Sequence, residues 1–359
     1  MPRAPRKTKP APIAPATDGG ALASGELLGD IRGLIEESRQ QVATTVNVGI
    51  TLLYWNIGQR IHSEVLKFER AEYGKQILAT LSQELQRDYG EGFSVAGLSR
   101  MMSLVNAFPD LKVIAHLCRK VSWSHFREII PLKDPLQRDF YAEMCRIETW
   151  SVRTLRDKID SMLFERTALS KKPQELIEHE LQQLRAEDKM TPNLVFRDPI
   201  FLDYLGLKDR YLEKDLEDAI LRELENFILE LGSGFSFVAR QKRLIIDGDD
   251  HYIDLLFFHR GLRRLIAIEL KLGDFKAADK GQMELYLRYL AKHEMQPGED
   301  KPLGLILCSG KKSETIELLE MDAAGIHVAE YLSSLPSREC LSQRLHLAIE
   351  HAKQRFPNA

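Results

Sequence analysis

From about Gly25 to Glu187 apolar residues recur at steps of three and four. Leu27, Leu28, Ile31, Leu34 and Ile35 open the series, and Val42, Val46, Ile50, Leu53, Ile57 and Ile61 continue it. That period gathers them on one face of a helix. Further helices are expected over Gly74–Tyr89, Ser94–Phe108, Ser124–Ile130, Leu136–Cys145, Ser151–Glu165 and Pro173–Ala186. Ser94 and Ser151 suit N-caps, and Pro109, Pro131 and Pro192 mark stops. Asp188–Tyr204 carries two prolines in a mixed composition and reads as an ordered, extended connector.

Beyond the connector the pattern changes. Lys214–Leu231 reads as an amphipathic helix. Phe235–Ile246, Tyr252–Phe258 and Arg263–Leu272 read as strands, the first two separated by the turn Asp247-Gly248-Asp249-Asp250. A helix over Phe275–Ala291, a strand over Leu303–Ser309, a helix over Ser313–Met321 and a strand over Ile326–Tyr331 follow. The order α-β-β-β-α-β, a meander and then a helical crossover, implies a mixed sheet with helices on its faces. The expected organisation is a tail over 1–24, an all-α region over 25–187, a connector over 188–213, an α/β domain over 214–335 and a C-terminal helix over 336–359. Two folded domains with tails suit 359 residues.

Composition narrows the class. Hydrophobic residues make up 44% and charged residues 29%, the balance of a soluble globular chain. No apolar run reaches the roughly 18–20 residues of a membrane span, and the N-terminus lacks a signal-peptide core. The four cysteines form no C-x-x-C pair, which argues against a zinc ribbon and suits small buried residues in a reducing cytoplasm. A net charge of −3 means that any nucleic-acid site must be a local basic patch. Residues 1–20 are rich in Pro and Ala and carry Arg3, Arg6, Lys7 and Lys9. They read as a disordered basic tail, either touching phosphates without specificity or simply solvated.

The candidate chemistry lies on two strands. Asp254 stands inside the apolar run Tyr252–Phe258, where a lone charge is costly unless paired, protonated or metal-bound. On the next strand Glu269 and Lys271 are two apart and share a face. With a hairpin turning near Arg260–Gly261, Asp254 falls opposite Ala267 or Ile268, and Glu269 is a diagonal neighbour at about 7–8 Å. One divalent ion would bridge two such carboxylates. Mg²⁺, an oxygen-seeking ion that keeps several waters, suits the site, and Mn²⁺ is the alternative. On the preceding helix, Glu217 projects into the middle of the stripe formed by Ile220, Leu221, Leu224, Ile228 and Leu231. It is either aimed at this site or a first-turn acid favoured by the helix dipole. Gln282 and Tyr286 form an i, i+4 pair on one helical face.

Asp254, fourteen residues, then Glu269-Leu270-Lys271 resembles the D…(D/E)xK signature of the PD-(D/E)xK nuclease superfamily. Glu217 is similar to its first-helix acid, and Gln282 with Tyr286 resembles the QxxxY element of its RecB-like branch. More closely, the stretches LEDAILRELENFILELGSGFSFVARQKRL and HYIDLLFFHRGLRRLIAIELKLGDFKAADKGQMELYL resemble the bacterial YhcG-type family. That family joins such a domain to a helical N-terminal domain, and LLYWNIGQRI, VSWSHFREI and FYAEMCRIETWSVRTLRDKIDSMLFER are similar to the latter. No Pro precedes Asp254, a departure from the signature's name.

The resemblance implies an α+β two-domain chain whose C-terminal part is a restriction-endonuclease-like core hydrolysing phosphodiesters of nucleic acid, DNA favoured over RNA. It further implies that Asp254, Glu269 and the Leu270 carbonyl hold Mg²⁺ with help from Glu217, and that Lys271 orients the attacking water. A structural Lys271–Glu269 salt bridge is the plainer alternative. Arg240, Lys242, Arg243, Arg260, Arg263, Arg264, Lys276 and Lys280 flank the motif and are candidate phosphate contacts. In the helical region, Arg119–Arg127 interleaves basic and aromatic residues. With Ser94–Phe108 it reads as a helix-turn-helix-like element or as an ordinary bundle with Trp123 in its core. A homo-oligomer through this region is compatible with either. The competing functional reading is a non-catalytic nucleic-acid-binding or assembly protein on a nuclease-like fold.

Overall fold

The computed structural model describes residues 45–63, 71–207 and 212–355. The expected basic tail and the apolar series before residue 45 lie outside the described residues. The chain forms two compact units, Met1–Trp123 and Ser124–Ala359. The helical region expected over 25–187 therefore spans both.

In the first unit, α1 covers residues 45–63, α2 Ala71–Tyr89, α3 Val95–Ala107 and α4 Leu111–Leu117, and α5 (Trp123–Ile129) begins at its border. Ser94 caps α3 by accepting the Gly97 N–H, as its position suggests. Helix α4 was not expected from periodicity. It is seven residues long, and Asp110 starts it by accepting the Lys112 N–H. Ile61, Leu98 and Met101 form the core with Tyr54, Ile57, Leu81 and Trp123. A Cβ added at Gly58 would lie 2.1 Å from the Met101 carbonyl oxygen, so α1 and α3 meet backbone to backbone. Trp123 packs edge-on against Tyr54 at 5.0 Å, a core position.

The second unit opens with α6 (Pro135–Glu148), α7 (Val152–Asp160), α8 (Leu163–Arg166), α9 (Gln174–Glu187) and the single turn α10 (Pro192–Val195). One helix was expected over Ser151–Glu165. It breaks because Met162 takes a left-handed φ of 52°. The connector is not merely a linker. It supplies β1 (Ile200–Phe201), which extends the sheet by pairing in parallel with β6 (Ile326–Leu332). The helix expected over Lys214–Leu231 is two, α11 (Glu213–Arg222) and α12 (Leu224–Leu231), bent at Glu223.

Strands β2 (Phe235–Ile246), β3 (Asp249–His259) and β4 (Arg264–Asp274) form the meander. Asp247 and Gly248 join the first two with φ of 52° and 92°, the pair of left-handed residues that a tight hairpin turn demands. Helix α13 (Ala277–His293) crosses over to β5 (Leu303–Gly310), and α14 (Ser313–Leu318) leads to β6. Helix α15 (Arg338–Arg355) closes the described chain. The sheet order is β1-β6-β5-β4-β3-β2, antiparallel within the meander and parallel beyond it. Met283, Tyr286, Leu287 and Leu290 of α13 pack with Leu256, Leu265 and Ala267. Phe227 of α12 meets Phe257 at 6.1 Å. Neighbouring strand residues point to opposite faces, so both faces are covered. Cys118, Cys145 and Cys308 are buried free thiols, while Cys340 is exposed, contrary to expectation. No helix among the described residues is long and apolar enough to cross a membrane.

The β1 edge is held by one buried acid. Asp198 accepts the Glu330 N–H at 3.0 Å and Lys171 Nζ at 2.5 Å, and it also binds Lys311. Burial would push its carboxyl up, but the two lysines outweigh this and hold it far below the ordinary range. Asp198→Asn leaves two ammonium groups poorly matched, so a loss of about 3–5 kcal/mol is expected in urea denaturation at neutral pH. The native pKa is depressed, so the wild-type advantage holds above the ordinary carboxylate range and fades as pH falls below it. An unchanged urea midpoint would show that this triad does not anchor the edge.

Candidate active site

The β3–β4 ladder runs from His259 paired with Arg264, beside the turn, to Leu256 with Ala267 and Leu255 with Ile268, where it ends. Extending that register by one step sets Asp254 opposite Glu269, not opposite Ala267 or Ile268. The shift of one to two residues arises because the turn takes four residues, 260–263, rather than two. Directly opposite residues share a face, so the two carboxylates are closer than the diagonal estimate. One further step would pair Leu270 with Ile253. Instead the Leu270 N–H donates to Asp254 Oδ2 at 2.9 Å, and the Asp254 N–H points to Glu269 Oε1 at 3.4 Å. The strands thus part where the acids stand, and side-chain oxygens replace the backbone acceptors. An extended residue directs N–H and C=O to the same edge, so the Leu270 carbonyl also faces this gap.

Glu269 is only 3% exposed. Burial first, and the Asp254 charge second, push its carboxyl up to about 8, while Lys271 opposes them. Asp254 is raised as well, chiefly by burial, against the Leu270 N–H and Gln241. Burial disfavours the Lys271 ammonium, but Glu269 and Glu213 outweigh it and hold the amine above its ordinary value. Lys271 Nζ lies 3.4 Å from Glu269 Oε2. From α13, Gln282 Nε2 lies 3.4 Å from the same oxygen and donates to Tyr286 Oη at 2.7 Å.

The other side of the gap belongs to α11 and β2. Glu217 is buried, and Gln241 Nε2 donates both to Glu217 Oε2 at 2.9 Å and to Asp254 Oδ1 at 3.1 Å. Gln241 escaped sequence reasoning because nothing in a strand-like run marks it. Its φ is 44°, a left-handed conformation costing a non-glycine residue about 1–3 kcal/mol. An irregularity between Phe237 and Ala239 precedes it in the β2 ladder. Such bulges bend a strand and re-aim its side chains. Glu213 was missed too. It lines a cavity of about 420 Å³ with Lys214, Glu217, Arg240, Gln241, Asp254 and Leu270.

The structure therefore brings Asp254, Glu269, Lys271, Glu217, Gln282 and Tyr286 to one end of the hairpin. The basic residues divide. Arg240 pairs with Glu217 and Asp218, Lys242 with Glu294, Arg243 with Asp250, and Lys280 with Glu284. Lys276 precedes α13 at the site end. Arg260 and Arg263 lie in the β3–β4 turn and Arg264 beside it, with Arg264 paired to Asp300. Five residue steps along the strands put that turn about 17 Å from Asp254, at about 3.3 Å per residue. Arg260, Arg263 and Arg264 are therefore not part of the site cluster.

Among the described residues no group of three or more His, Cys, Asp or Glu is arranged to hold a metal ion. The available donor set is two carboxylates and a carbonyl, with Glu217 across the Gln241 amide. Hard oxygens in that small number fit a largely hydrated Mg²⁺ rather than a closed protein cage.

An α-β-β-β-α-β core that carries an acid and a Glu-x-Lys at the open end of its central hairpin defines a PD-(D/E)xK nuclease domain. Comparison agrees. Residues 193–347 match the YhcG PDDEXK nuclease domain and residues 30–166 the DUF1016 N-terminal domain. The chain is 34% identical over 347 residues to "Putative nuclease YhcG" of Escherichia coli (strain K12), covering 87% of this chain and 91% of that one. It belongs to the YhcG family. Among solved structures it is similar to a repair endonuclease from Pyrococcus abyssi, with 17% identity, a TM-score of 0.25, 34% of this chain and 48% of that chain. It is also similar to EndoMS in a double-stranded DNA complex, with 18% identity, a TM-score of 0.26, 36% of this chain and 50% of that chain. The chain spans about half the length of each structure.

Glu269 gives a pH signature. Its native pKa is raised, so the metal-free fold binds the extra proton between the ordinary carboxylate range and about 8. Stability from this group should fall as pH rises through that window and level off above it. Thermal melting of wild type in chelator should show the decline, and Glu269→Gln should flatten it and melt higher at pH 9. A wild-type curve parallel to that of Glu269→Gln would show that Glu269 is not held protonated.

Proposed function

We propose that this chain is a divalent-metal-dependent endonuclease that hydrolyses phosphodiester bonds of DNA, with Mg²⁺ or Mn²⁺ as the ion. The observation that carries the reading is the placement of Asp254 and Glu269 where the β3–β4 ladder ends, with Lys271 on the same face. Burying two adjacent carboxylates beside a single ammonium is unfavourable for the empty fold, since one of them must take up a proton. Such an arrangement makes sense where a cation is to be received.

In this reading Asp254, Glu269 and the Leu270 carbonyl hold the ion, and Glu217 completes its shell directly or through water. The bound ion would act as a Lewis acid and water activator. Lys271 orients the attacking water and offsets negative charge gathering on the phosphoryl oxygens. Gln282 fixes the rotamer of Glu269, and Tyr286 fixes Gln282. Lys276 and Lys280, at the start of α13, are candidates for contacts to the flanking backbone. The choice of DNA over RNA follows from the superfamily resemblance.

The test is incubation of the purified chain with Mg²⁺ or Mn²⁺ and supercoiled plasmid, linear duplex, single-stranded DNA and RNA. Wild type is expected to nick or linearise plasmid. Asp254→Asn and Lys271→Ala are expected to slow cleavage on the order of 10²-fold or more while remaining folded. Asp254→Asn should also weaken Mg²⁺ binding in calorimetry. Cleavage by Asp254→Asn at the wild-type rate would rule out the site.

A further inference from the structure

Arg240 and Gln241 are consecutive residues of β2, yet both reach the carboxylate of Glu217. Arg240 Nε donates to Oε1 at 2.7 Å, and its Nη2 donates to Asp218 at 2.8 Å. Gln241 takes the other oxygen, Oε2, at 2.9 Å. Adjacent residues of a regular strand point to opposite faces, so one acceptor cannot ordinarily be served by both. The left-handed backbone at Gln241 removes that restriction. The result is an acid whose two oxygens are both occupied, one by a guanidinium and one by an amide that also binds Asp254. These donors take up oxygens that a divalent ion would need from Glu217.

The partners differ in freedom. The Glu217 side chain is 9% exposed and that of Arg240 is 42% exposed. A half-exposed guanidinium in an ion pair is held weakly and can swing into solvent. A buried carboxylate on a helix cannot follow it. Arg240 also lines the same cavity as Asp254 and Leu270, so on release it is already beside the position a scissile phosphate would take.

We infer that Arg240 is a cation latch on the metal site. It compensates Glu217 while no divalent ion is bound, and it is released to a DNA phosphate once an ion supplies that charge. The inference rests on the nuclease reading above and adds to it a coupling. Metal and DNA each favour the state with Arg240 released, so each strengthens the binding of the other.

The test uses the full chain and two measurements that need no turnover. Calorimetric titration with Ca²⁺, another oxygen-seeking ion, should show Arg240→Ala binding about 5–10-fold more tightly than wild type, within the usual range of site-to-site coupling. Duplex DNA binding should then be followed against salt, with Ca²⁺ and with chelator. Wild type should show a salt slope steeper by about one counterion with Ca²⁺, the mark of one added phosphate contact. Arg240→Ala should show the same slope in both conditions, and Arg240→Lys should restore the difference. Equal Ca²⁺ affinity in wild type and Arg240→Ala, or a slope difference that survives in Arg240→Ala, would overturn the latch and leave the nuclease reading standing. A wild-type chain that binds neither Ca²⁺ nor Mn²⁺ would overturn both.

Discussion

The structure of the second unit turns on the point where β3 and β4 stop pairing. A sheet covered on both faces offers little solvent to a carboxylate, and here two stand opposite each other, Glu269 buried and Asp254 half-buried. The ladder yields to them: the Leu270 N–H turns to Asp254 rather than to a backbone acceptor. Helices on opposite faces then reach the same gap, α11 with Glu217 and α13 with Gln282.

Charge is arranged as carefully as shape. Net charge is −3, and most of the basic residues near the gap already face a carboxylate. In the absence of ligand the region is therefore close to neutral rather than openly positive. Glu269, buried beside Asp254, resolves its own excess by holding a proton into the weakly alkaline range. Affinity for a polyanion would have to be uncovered rather than standing ready. This differs from a protein that attracts nucleic acid by a broad positive surface.

Much of this was legible in the chain. The meander, the crossover and the last strand follow from short apolar runs of strand length, a helical period between the third and fourth, and the Asp247-Gly248 turn. Asp254 and Glu269 stood out as charges in apolar strands, and Glu217 as an acid inside an apolar stripe. Glu217 kept its buried place because Leu216, Ala219 and Ile220 bury beside it before the bend at Glu223, whereas beyond the bend Phe227 rather than Ile228 is buried. What could not be read depended on backbone angles and distant partners. The left-handed turn at Gln241 leaves no residue-type signal, since glycine, the usual mark, is absent. Strand β1 is two residues long and exists only because β6 is there to pair with it. The break at Met162 is likewise set by what surrounds it. The exact opposition of Asp254 and Glu269 hung on a turn length that the sequence around Gly261 left open by a residue or two.

The buried arginine of α8 has a wider consequence. Arg166 is fully buried, lies 3.4 Å over the Phe201 ring, donates to the Pro199 carbonyl at 3.0 Å and pairs with Glu230 of α12. Arg197 joins Glu230 as well, and Lys171 joins Asp198. The Arg166–Glu230 tie joins the two matched families, one ending at residue 166 and the other beginning at 193, and Lys171 reaches Asp198 from between them. The segment recognised in descent as the nuclease is thus smaller than the body that holds itself together. Cutting at the family border would take Arg166 from Glu230 and Lys171 from Asp198, leaving each acid with one cation, Arg197 and Lys311. Inheritance and cohesion divide this chain in different places.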